Sequence, residues 1–72
     1  MASTRLSKED VLTAYRRSAL IQAAVRVFGG SGFEGATMDG IAREAGVAKG
    51  TIYLYYPSKQ SIYDAALTAG FA

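Results

Sequence analysis

The apolar positions of the chain fall into groups separated by glycine, proline and hydroxyl residues. The strongest group carries Leu20, Ile21, Ala24, Val25 and Phe28 at three- and four-residue intervals. That is the period of one helix face. Arg17, Gln22 and Arg26 fall largely on the other faces. Upstream, Val11, Leu12, Ala14 and Tyr15 give a weaker pattern, and Ser7 followed three residues later by Asp10 resembles a capping box. The spacing predicts a first helix from about Lys8 to Phe28, preceded by a disordered tip over residues 1–6. Gly29, Gly30, Ser31 and Gly32 are expected to end it, because glycine favours a turn over a helix. Phe33, alone after that turn, reads as a plug of the core rather than a ligand-stacking ring.

Thr37 is a suitable N-cap for a second helix, with Asp39 in its first turn, where negative charge suits the helix dipole. Ile41, Ala42 and Ala45 form its apolar face, Asp39 and Arg43 are spaced as an exposed pair, and Gly46 ends it. A third helix is expected over Ala48–Tyr56, stopped by Pro57. Ser58 then caps a fourth helix through Ile62, Tyr63, Ala65 and Ala66 toward Phe71. The expected class is all-α. Only Thr51–Tyr56 has strand-like composition, and it has no second strand to pair with.

The two short middle helices carry the functional reading. A helix-turn-helix needs a tiny residue where its helices cross, a turn residue tolerant of positive φ, and apolar residues that lock the crossing. Ala42, Gly46 and the set Ile41, Ala45, Val47 and Ile52 meet all three requirements at once. The expected architecture is a three-helix, homeodomain-like domain with its helix-turn-helix at about 37–56, plus the start of a connecting helix from about Ser58. The second helix of such a unit enters a DNA groove. Ala48, Lys49, Gly50 and Thr51 offer small or hydrogen-bonding groups at its start. Lys49 suits a guanine edge or a phosphate, and Thr51 suits a base or a thymine methyl. Tyr53 and Tyr55 carry hydroxyls suited to phosphate oxygens. Thr37 and Lys59 begin the second and fourth helices, where free N–H groups favour an anion. Tyr53 is read as DNA-facing, Tyr55 as either DNA-facing or packed, and Tyr56 and Tyr63 as core. Leu54 is read as exposed, either touching a thymine methyl or sugar or simply solvated. Arg16 and Arg17 are read as a surface pair ahead of a phosphate contact.

Composition narrows the picture. At 72 residues the chain holds at most one small domain, whose single core supplies roughly 3–5 kcal/mol. It has no cysteine and no histidine, so it lacks disulfides, thiolate metal sites and the commonest general base. No nucleophile stands beside a base, so no catalytic, metal or cofactor site is expected. Net charge is only +2, but two lysines and no acid lie between Ala45 and Tyr63, making the second half of the stretch from Thr37 to Lys59 locally basic. No segment is apolar enough to span a bilayer, and a cytoplasmic location is expected.

These residues resemble the TetR (tetracycline-repressor-like) family of bacterial transcriptional regulators. The resemblance is carried by Ile21-x2-Ala24-x3-Phe28, Gly32-Phe33, Thr37-Met38, Ile41-Ala42-x2-Ala45-Gly46-Val47, Lys49-Gly50-Thr51-Ile52-Tyr53 and Tyr55-Tyr56-Pro57-Ser58-Lys59. It implies a DNA-binding head over residues 15–72, joined through the fourth helix to a ligand-binding and dimerisation body that this chain does not contain. It further implies a homodimeric repressor on a near-palindromic operator, released by a small-molecule inducer bound outside this chain. By position, Thr37 and Lys59 look like phosphate anchors, Lys49, Gly50 and Thr51 like base readers, and Tyr53 and Tyr55 like backbone contacts. Ala48 stands where the family often has serine, and Leu54 where histidine or another polar residue is common. Residues 1–14 are expected to form a partly helical arm beyond the usual start. Its Arg5 and Lys8 would reach the minor groove if the arm is more than a tail. The competing reading is a helical protein-interaction module without DNA specificity.

Overall fold

A computed structural model of the chain describes residues 8–70. Over them run α1 (Lys8–Gly35), α2 (Met38–Ala45), α3 (Lys49–Tyr55) and α4 (Lys59–Thr68), with no strand among the described residues. The expected tip, the Ser7 cap, Arg5 and Phe71 lie outside the described residues. α2, α3 and α4 begin and end within a residue of the expected punctuation, except at the end of α4. There Ala69 closes the helix and Gly70 turns at φ 103°, so the expected run toward Phe71 stops at Thr68.

The end of α1 differs more from expectation. Gly29 and Gly30 do not break the helix, which continues to a kink at Gly32 (φ 76°, ψ 171°) followed by one further helical turn. Each interior glycine costs about 1 kcal/mol against alanine, yet tertiary packing outweighs that preference. On either side of the glycines, Phe28 and Phe33 stack at 5.9 Å, and Tyr63 of α4 meets both edge-on at 5.0 Å. Phe33 is therefore the core plug expected, and Tyr63 is half-buried beside it.

The core forms where α1 packs on α2 and α4, and α2 on α3. Leu20, Ile41, Ile52 and Ile62 are its fully buried large side chains, one from each helix. Burying such a side chain contributes about 1.5–3 kcal/mol. Ala23, Ala24 and Ala42 belong to the same buried cluster, and Ala66 is buried on α4. Ala23 was not expected in this set, whereas Ile21 and Val25 are only half-buried, because the buried stripe of α1 is rotated toward Ala23. Tyr56 is buried, as expected. The first two turns of α1 carry exposed apolar side chains, with Tyr15 the most open.

Gly29 and Gly30 have helical backbone and open space where a Cβ would stand. Gly30→Ala should therefore raise stability by about 0.5–1 kcal/mol through the unfolded state. Gly32→Ala should lower it by about 1–3 kcal/mol, because φ 76° with ψ 171° is a conformation open essentially to glycine alone. Urea unfolding followed by circular dichroism distinguishes the two signs.

Candidate nucleic-acid interface

Thr37 adopts extended backbone and its Oγ1 accepts the Gly40 N–H at 2.9 Å, which caps α2. A Cβ at Gly40 would lie 3.0 Å from the same oxygen, so a side chain there would push the cap by a few tenths of an ångström. The Thr37 hydroxyl keeps its own proton to donate outward. At the other end of α2, Gly46 adopts φ 77°, and two bonds close the turn: Gly46 N–H donates to the Arg43 carbonyl at 3.1 Å and Val47 N–H to the Ala42 carbonyl at 2.9 Å. The paired bonds satisfy carbonyls left open at a helix end and redirect the chain sharply into α3. Asp39 and Arg43 pair at 3.0 Å as expected. Arg26 of α1 also reaches Glu44 of α2 at 2.7 Å, a link between distant positions that helix periodicity does not reveal.

Ile52 is the one buried side chain of α3. Positions two residues away on a helix lie roughly 200° around it, so Gly50 and Leu54 occupy the face opposite Ile52. Gly50 is exposed with nothing near its Cβ direction, and Leu54 is 82% exposed. Ala48, Lys49 and Tyr53 are also exposed, while Thr51 and Tyr55 are half-buried at the margin. Ala48 is the N-cap of α3 and supplies no side-chain cap bond. Among the described residues, the ion pairs engage Arg26 and Arg43 and leave Lys49, Arg16 and Arg17 without a carboxylate. The sequence-derived candidates from Ala48 to Tyr55 are thus gathered on one short helix, with Thr37 and Lys59 opening the helices before and after it.

Two long-range contacts modify the expected picture. The Arg17 guanidinium lies 5.4 Å from the Tyr55 ring centroid and 5.8 Å from that of Tyr56. α1 thereby holds the end of the reading helix and places a cation beside it. The Lys59 side chain turns inward instead of outward. Its Nζ donates to the carbonyls of Phe33 at 2.7 Å and Ala36 at 3.1 Å, and lies 4.3 Å from the Phe33 ring centroid. Neither contact leaves a sequence signal, because the partners are distant in the chain.

Two crossing helices joined through Gly46, Val47 and Ala48, the second with Lys49 and the small Gly50 exposed at its start, make a helix-turn-helix domain of the DNA-binding kind. Residues 20–66 match the family described as bacterial regulatory proteins of the tetR family. The chain is 38% identical over 60 residues to the HTH-type transcriptional regulator RutR of Escherichia coli, covering 83% of this chain and 28% of RutR. It is 40% identical over 53 residues to the HTH-type transcriptional regulator SrpR of Pseudomonas putida, covering 74% and 25%. It is 33% identical over 52 residues to the biofilm operon icaADBC HTH-type negative transcriptional regulator IcaR of Staphylococcus aureus, covering 72% and 28%. The chain belongs to the TetR family of helix-turn-helix transcriptional regulators. It spans about a quarter of the length of these relatives. No helix among the described residues is long and apolar enough to cross a membrane, and none of their side chains cluster as a metal site.

Replacing Thr37 with alanine should cost about 1 kcal/mol, the usual value of a lost N-cap, while Thr37→Ser should keep most of it. Urea midpoints of the two variants at equal m-value check this.

Proposed function

We propose that this chain is the operator-reading head of a dimeric, ligand-responsive repressor acting in the cytoplasm. The observation that carries the reading is the outer face of α3. It combines an exposed Gly50, an unpaired Lys49 and an exposed Leu54 on a helix anchored from behind by Ile52. A major groove admits one α-helix. Gly50 and Ala48 let the backbone approach closely, Lys49 and Thr51 address base edges, and Leu54 covers a thymine methyl or a sugar. Tyr53 and Tyr55 offer hydroxyls to phosphates, with Arg17 supplying charge beside Tyr55. Thr37 donates its hydroxyl to the backbone at the start of α2. At the start of α4 the Lys59 and Gln60 N–H groups serve the same purpose, the Ser61 N–H being taken by the Ser58 cap.

Repression by a two-fold dimer and release by a small molecule are drawn from the family, the negative regulator IcaR among its members. Both the dimer contact and the inducer site would belong to a further domain.

With two copies of the chain joined by a dimerising module, duplexes selected from a random pool should converge on a two-fold symmetric consensus with half-sites about one helical turn or more apart. Against that consensus, Lys49→Ala should lose more affinity than against random DNA, by roughly 1–3 kcal/mol of discrimination. Equal losses on both duplexes would remove Lys49 from the base-reading set.

A further inference from the structure

We infer that Lys59 is a positioning residue: it braces the segment Phe33–Ala36 from α4 and so sets where α2 begins relative to the DNA. The inference rests on the DNA-binding reading and assigns the ammonium an internal role, leaving phosphate contact to the backbone of that turn.

Past the kink at Gly32, the chain makes one turn and then passes directly into the Thr37 cap. Carbonyls at such a helix end lack intrahelical donors. The Lys59 ammonium supplies two of them, at Phe33 and Ala36, and its remaining charge faces the Phe33 ring at 4.3 Å. Hydrogen bonds from a charged donor are among the stronger ones, and a half-buried ammonium held by two carbonyls and a ring has little reason to leave. Tyr63, one turn further along α4, holds the other side of Phe33 edge-on at 5.0 Å. α4 therefore grips this segment at two points, while its principal packing is on α1. Ala36 is buried and adjoins Thr37, whose oxygen fixes the Gly40 N–H. A displacement of the segment would move the α2 cap, and with it α3, which packs on α2.

A phosphate-contacting lysine and a bracing lysine differ in their salt signature. Each phosphate neutralised contributes about 0.9 to the slope of log K against log salt. Lys59→Met in the full chain should bind the selected duplex about tenfold more weakly with that slope unchanged, at a temperature where circular dichroism shows it folded. Lys59→Arg, which keeps a charged donor, should recover part of the loss. Without DNA, amide hydrogen exchange at Gly40 and Ile41 should accelerate about tenfold in Lys59→Met, beyond any change at Ala24, which reports global opening. A slope reduced by about 0.9 would place the ammonium on a phosphate and overturn the inference. So would unchanged affinity with only a lowered melting temperature, or unaltered relative exchange at Gly40. If Lys59→Met does not fold, Lys59→Gln takes its place with the same three readouts. Failure of two joined wild-type heads to select any duplex would sink the DNA reading instead, and the exchange arm would still decide the brace.

Discussion

A helix of seven residues cannot stand on its backbone alone, because isolated helices shorter than about 12–15 residues are marginal in water. α3 is such a helix, with no side-chain cap at its start and one buried side chain, Ile52. Its existence depends on Ile52 entering the core made by Leu20, Ile41 and Ile62. Several features of the domain serve that insertion. The Gly46 turn aims α3 at the core, the alanines let the helices come close enough, and Arg17 steadies the far end through Tyr55 and Tyr56. In return, the side of α3 opposite Ile52 is free to carry chemistry that no core could use.

The domain's punctuation was legible in the sequence because its causes are local. Thr37, Gly46 and Ser58 act within three or four residues of where they stand, through a cap, a left-handed turn and a capping box. The glycines before Phe33 were misjudged for the converse reason. Their local preference is for a turn, but Phe28, Phe33 and Tyr63 close over the region and carry the helix through to Gly32.

Candidate interface residues could be assembled because the spacing around Ile52 divides α3 into inner and outer faces. The separation of Phe33 from Lys59 conceals what the Lys59 side chain does. A lysine in the first turn of a helix looks the same in sequence whether it points to solvent or folds back onto carbonyls. Arg17 is hidden in the same way, since its partners Tyr55 and Tyr56 are reached only through the fold.

The division of α3 into an anchored side and an open side bears on how such a domain can change over generations. Lys49 and Leu54 are exposed and lie outside the packed cluster. Surface substitutions of that kind usually alter stability by no more than about 0.5 kcal/mol. Substitutions can therefore accumulate at those positions almost independently of folding. Ala23, Ala24 and Ala42 have no such latitude, because an added methylene in a packed core forces its neighbours to shift. The scaffold is thereby held constant while the outer face of α3 is free to vary.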